Sequence, residues 1–106
     1  MISKKSKIYI AGHKGLVGSA IIKKLKEKGY INLITASKKE LNLIDQKKVL
    51  EFFNKKKPDF IFIAAAKVGG IYSNNKFKAE FIYENLMIQT NLIHSAFQNN
   101  IKNLIF

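Results

Sequence analysis

The chain has 106 residues, 47% of them apolar, which is enough for one packed domain and excludes a disordered or two-domain protein. Its formal charge of +12 comes from lysine alone, with no arginine, the residue that reads phosphate and guanine with a planar fork. The lysines at Lys23, Lys24, Lys26, Lys28, Lys47, Lys48 and Lys55 to Lys57 fall on outer helix positions, so the charge reads as a solvated surface with no nucleic-acid partner. No apolar run reaches the roughly 18 residues of a membrane span, and zero cysteines exclude a disulfide framework, a thiolate metal site and a cysteine nucleophile. A cytoplasmic protein without a membrane partner is expected.

The first element is the apolar run Lys7 to Ala11, a strand, followed by a turn holding Gly12, Gly15 and Gly18 at intervals of three. From Leu16 to Lys28 the pattern becomes helical, with Val17, Ala20, Ile21 and Leu25 on one stripe, lysines opposite, and Gly29 as the stop. Asn32 to Ala36 reads as a short second strand with Ser37 to Glu40 as its exit loop. Asp45 can cap a helix running to Lys56, with Val49, Leu50, Phe52 and Phe53 as its buried face and Pro58 enforcing its end. Phe60 to Ala64 is apolar without alternation, as suits a parallel strand covered on both faces. A loop from Ala65 to Lys76 leads to a long helix from Ala79 to Asn99, apolar at Ile82, Leu86, Ile93 and Phe97, and Leu104 to Phe106 opens a fourth strand. This strand and helix alternation predicts an α/β protein with a Rossmann-type open parallel sheet of about four strands.

A strand, a glycine turn and a helix are the layout that holds a dinucleotide pyrophosphate. One glycine permits a positive φ, one lets backbone approach phosphate, and one lets the helix press close. The helix N-terminus adds open N–H groups and a positive dipole end. At the tip of the second strand, where an Asp or Glu would hold the ribose hydroxyls of NAD, stand Ala36 and Ser37. Lys38 and Lys39 follow, and Lys14 projects from the glycine turn. These cations suit the extra 2′-phosphate of NADP. Glu40 argues the other way, since a loop shift could bring its carboxylate to the ribose.

Four segments, Ala11 to Ala20, Glu40 to Asp45, Ala64 to Ile71 and Asn91 to His94, resemble in order and spacing the GDP-L-fucose synthases, a family of extended short-chain dehydrogenases/reductases. The resemblance covers essentially the whole chain, and its most specific segment is Ala64-Ala65-Ala66-Lys67-Val68-Gly69-Gly70-Ile71. It implies an NADPH-dependent 3,5-epimerase and 4-reductase that turns GDP-4-keto-6-deoxy-mannose into GDP-L-fucose, and a homodimeric complete enzyme. In the resemblance Gly12, His13, Lys14, Gly15, Leu16, Val17 and Gly18 contact NADP, as do Lys38, Lys39, Glu40, Leu41, Asn42 and Leu43. It adds Ala64, Ala65 and Ala66 to that cofactor set, and Asn91 as a residue that orders the site. Lys14 and Lys38 occupy positions that commonly carry arginine directed at the 2′-phosphate.

The resemblance also implies a chain roughly three times as long, with its catalytic Ser and Tyr-x-x-x-Lys beyond Phe106. These 106 residues then form an incomplete NADP-binding domain without the substrate domain, and are expected to be inactive alone. A stand-alone, non-catalytic dinucleotide-binding module is the alternative. Tyr72 and Lys76 have the spacing of the catalytic pair, but two asparagines between them disfavour the helix that the pair needs. His13 and His94 are read as a loop and a helix residue without catalytic roles, and no metal-ligand cluster is visible.

Overall fold

The computed structural model describes residues 3–64 and 75–105. Its elements run β1 (Lys7–Ala11), α1 (Leu16–Glu27), β2 (Asn32–Ile34), α2 (Gln46–Lys56), β3 (Phe60–Ile63), α3 (Asn75–Gln98) and β4 (Asn103–Ile105). The four strands form one sheet in the order β2-β1-β3-β4. Every pairing is parallel, with Tyr9 opposite Ile34 on one side and Ile61 on the other.

Alternation along β1 divides the core. Ile8 and Ile10 pack with Leu25 of α1 and with Phe60 and Phe62 of β3, while Tyr9 and Ala11 face Val49 and Phe53 of α2 and Ile88, Leu92 and Ala96 of α3. Helices therefore cover both faces, and β3 is apolar throughout because its two side-chain sets enter different clusters. Tyr9 sits edge-on to Phe53 at 5.6 Å between centroids, a preferred aromatic geometry. Burial drives its phenol upward from the ordinary tyrosine value, the wrong direction for a proton donor.

The local signals in α2 act as the sequence suggests. Asp45 accepts the Lys48 N–H at 3.2 Å, and the helix ends in a left-handed Lys57 at φ 48° before buried Pro58. Three expectations need correction. In α1 the inward stripe is Gly18, Ile21, Ile22 and Leu25, whereas Val17 is 62% exposed and Ala20 is exposed; backbone contact at Gly18, described below, sets the helix's rotation. The strand ladder of β2 stops at Ile34, because Thr35 and Ala36 lead into a capped turn. Asn75, not Ala79, begins α3, and its apolar positions Ile82, Leu86, Ile93 and Phe97 all lie outward. The inward face belongs to Ile88, Asn91, Leu92, Ser95 and Ala96.

The chain passes from β1 to β2 on one side, then returns to β3 on the other. Such a reversal leaves a crevice beyond the carboxyl ends of β1 and β3, where open α/β sheets bind ligands. Both the glycine turn and Ala64 lie there, and the Ala64 N–H donates to the Ala11 carbonyl at 3.0 Å.

Candidate functional site

Three glycines do three different jobs at this crevice. Gly12 has φ 84°, a conformation that L side chains rarely adopt, and the Gly15 N–H closes the turn on the Gly12 carbonyl at 3.1 Å. A Cβ on Gly18 would stand 1.9 Å from the Gly12 carbonyl oxygen and 3.0 Å from the His13 Cα, so only glycine lets α1 rest on the turn. Gly15, by contrast, has an ordinary extended backbone at φ −74° and ψ 170°, and a Cβ there would meet only the Gly12 oxygen at 3.4 Å. Among the described residues, nothing demands glycine at Gly15. The N-cap of α1, Gly15, offers no side chain to cap it, so the first-turn amides and positive dipole end are left open to an anion.

The opposing wall is a small reciprocal cap. The Ser37 N–H donates to Glu40 Oε1 at 3.2 Å, the Glu40 N–H donates to Ser37 Oγ at 3.3 Å, and the Leu41 N–H reaches the Ser37 carbonyl at 2.8 Å. Glu40 is thereby turned back onto its own turn. The Ser37 N–H and hydroxyl hold its carboxyl below the ordinary glutamate value, helped by the charges of His13 and Lys14 across the gap. Since the folded value is the lower one, Glu40 supports the turn fully above the ordinary carboxylate range and loses that support as pH falls through the folded value. An NMR titration of the Glu40 carboxyl carbon is expected to give a midpoint below that of a glutamate in an unstructured peptide, and Ser37→Ala should raise it. A midpoint at or above the peptide value contradicts the cap.

Between these walls lies a cleft of about 520 Å³. Gly12, His13 and Lys14 line it together with Ala36, Ser37, Lys38 and Asn42, and Leu41, Leu43, Ile44 and Ile88 add an apolar end. None of these lining residues is acidic, and Lys14 and Lys38 are both exposed. A wider polar groove of about 840 Å³ opens among Lys5, Asn54, Lys57, Asp59 and Asn103. It lies at the amino ends of the strands, opposite the crevice, and holds none of the candidate residues.

Of the expected site residues, Gly12, His13, Lys14, Lys38, Leu41, Asn42 and Leu43 line this cleft, whereas Gly15 is exposed beside it and outside its lining. Leu16 and Val17 are 89% and 62% exposed and lie outside the cleft lining, Gly18 is buried beneath the turn, and Lys39 and Glu40 are exposed without lining it. Ala64 follows β3 at the crevice, while Ala65, Ala66 and Tyr72 lie outside the described residues. His94 is exposed on α3. Ile44 and Ile88 line the cleft although no sequence signal marked them as site residues. Asn91 is 2% exposed, and its Nδ2 donates to the carbonyls of Leu43 at 2.8 Å and Ile44 at 2.9 Å. Among the described residues, no group of three His, Cys, Asp or Glu could hold a metal, and no helix is long and apolar enough to cross a membrane.

The chain is similar to known proteins. GDP-L-fucose synthase 1 of Arabidopsis thaliana is 52% identical over 106 residues, 100% of this chain and 33% of that protein. The GDP-L-fucose synthase of Escherichia coli K12 is 47% identical over 102 residues, 96% of this chain and 32% of that protein. Among solved structures, the GDP-mannoheptose C4 reductase MlghC from Campylobacter jejuni, with NADP bound, superposes with a TM-score of 0.92 at 45% identity, over 98% of this chain and 33% of its own. The chain spans about a third of the length of the curated relatives it matches. The profile of the NAD dependent epimerase/dehydratase family matches residues 8–106, and with the four-stranded parallel sheet and glycine turn in place the chain belongs to that family.

Proposed function

We propose that these 106 residues are the NADP(H)-holding Rossmann domain of a GDP-4-keto-6-deoxy-D-mannose 3,5-epimerase-4-reductase, with the sugar-nucleotide domain outside them. The observation that carries this reading is the pairing of the glycine turn with Lys14 and Lys38 around one cleft free of lining carboxylates. In it the pyrophosphate lies against the Gly12 to Gly15 turn and the first amides of α1, where dipole and N–H groups favour anions. The adenine side enters the apolar end formed by Leu41, Leu43 and Ile88. Lys14 and Lys38 supply positive charge for a 2′-phosphate, while Glu40 is occupied by Ser37. The printed names of the relatives support the GDP-sugar class, and MlghC with NADP bound supports the cofactor.

NADPH, when bound, supplies hydride for the keto carbon. These residues would bind and orient it, and Tyr9, sealed in the core with its phenol raised by burial, is not placed to serve as the proton donor that the reduction needs. The chain alone is expected to show no turnover of a GDP-keto sugar, which an assay of NADPH oxidation checks. A cytoplasmic setting and a homodimeric complete enzyme belong to the same reading. The outward stripe of Ile82, Leu86, Ile93 and Phe97 on α3 supports the dimer, since a helix face this apolar is suited to burial against a partner.

Gly15→Val tests the assignment. The fold accommodates a side chain at this φ and ψ, whereas the added isopropyl group would occupy the path of the phosphates. Calorimetry is expected to show NADPH binding weakened by at least about 100-fold, with the melting temperature nearly unchanged. Undiminished binding rejects the glycine turn as the cofactor site.

A further inference from the structure

We propose that the groove at the amino ends of the strands docks an extended acidic segment of a partner polypeptide, on the side opposite the cofactor crevice. In the sequence the lysines are scattered, and the fold collects them. Because the strands are parallel and helices connect them, the carboxyl ends of the helices and the amino ends of the strands share one side. The closing turns and caps of α1 and α2 carry Lys24, Lys26 and Lys28 and Lys55, Lys56 and Lys57. Lys4, Lys5 and Lys7 lead into β1, and Lys102 leads into β4. Tertiary bonds join these segments: Lys4 Nζ donates to the Lys28 carbonyl, and the Lys7 N–H donates to Asp59 Oδ2 at 2.9 Å. All ten lysines are exposed, against Glu27 and Asp59 as the acidic residues of the same segments. The carboxyl ends of α1, α2 and α3 contribute only about half an elementary negative charge each, so dipole compensation accounts for a small part of this excess.

The groove of about 840 Å³ supplies the shape. Lys5, Lys57 and Lys102 line it, and Asn54, Gln98 and Asn100 add exposed side-chain amides. Each amide pairs donors with an acceptor, which matches a peptide backbone, whereas a phosphodiester offers acceptors alone. The compact charge of lysine meets single carboxylates, and the lining includes neither the arginine fork nor the stacking aromatics that read nucleic acid. A groove receives a chain segment along its length, while a flat lipid surface would meet only its rim. Lys57 gives the most specific sign. It closes α2 in the left-handed region at φ 48°, where glycine would be free of strain. A lysine there strains the backbone and sets a cation in the groove.

The test sets a groove variant, Lys5→Ala with Lys57→Gly and Lys102→Ala, against an off-groove variant of equal charge loss, Lys23→Ala with Lys47→Ala and Lys48→Ala. The probe is a short fluorescein-labelled peptide of alternating glutamate and serine, its binding followed by anisotropy at physiological ionic strength and the melting temperature by circular dichroism. The groove variant is expected to bind the peptide about tenfold more weakly or worse, at an equal or higher melting temperature because glycine relieves the positive φ. The off-groove variant should lose no more than about threefold. In the wild type the peptide should shift the side-chain amide NMR signals of Asn54, Gln98 and Asn100. Equal losses in the two variants overturn the proposal by reducing it to the general field of a basic chain, as do unshifted amides or a wild type that shows no saturable binding. Tighter binding of a labelled single-stranded oligonucleotide, or of vesicles of anionic phospholipid, than of the peptide overturns it too, by giving the face to another class of partner.

Discussion

Gly18→Ala is expected to destabilise the chain by about 3 kcal/mol or more, reversing the ordinary effect of this substitution. In a helix interior, alanine is favoured over glycine by about 1 kcal/mol. Here the new Cβ would lie 1.9 Å from the Gly12 carbonyl oxygen and 2.7 Å from its carbonyl carbon. Both are backbone atoms of a turn already committed to a positive φ, so no side chain can swing aside, and overpacking of this kind costs about 1–3 kcal/mol or more. The helix must lift away from the turn, which also opens the cleft wall. Denaturant unfolding of Gly18→Ala beside Gly15→Ala checks this: the first should collapse in midpoint and the second should change little. A stabilised Gly18→Ala would mean that α1 does not rest on the glycine turn.

Replacing Lys14 and Lys38 together with alanine should weaken NADPH by about tenfold or more and NADH by no more than about threefold. A charged hydrogen bond is worth about 1.5–3 kcal/mol, but both lysines are exposed and solvent screening reduces that figure. Only NADPH carries the 2′-phosphate, so the difference between the cofactors isolates the local contact from the general field of a chain with charge +12. Added salt should narrow the difference in the wild type. Equal losses for NADPH and NADH would show that the lysines contribute long-range charge and no recognition. Because lysine lacks the planar fork of arginine, a modest wild-type preference for NADPH is itself expected.

Much of this site was legible because it is made of short-range signals. The spacing of Gly12, Gly15 and Gly18 between a strand and a helix predicts a positive φ at Gly12 and a close approach of the helix, and the structure has Gly12 at φ 84° and no room for a Cβ at Gly18. Asp45 as a cap and Pro58 beyond the end of α2 also act within a few residues of themselves. The reciprocal bonds between Ser37 and Glu40, three residues apart, form a local cap that the sequence reading did not mark.

The sequence by itself determined the alternation of strands and helices, the parallel sheet it implies and the glycine turn, because each follows from periodicity or from backbone chemistry that neighbours cannot override. Tertiary structure decided the rest. Val17 and the apolar row of Ile82, Leu86, Ile93 and Phe97 looked like core but lie outward, because a helix's rotation is set by its tightest contact: the Gly18 backbone for α1, and for α3 the packing of Ile88, Leu92 and Ala96 with Asn91 bonded to the distant loop. Ile88 lines the cleft, and Asn91 bonds the Leu43 and Ile44 carbonyls, for the same reason. Their partners lie on elements that are distant in the chain and meet only when α3 packs over the sheet beside α2, a contact that no local pattern encodes.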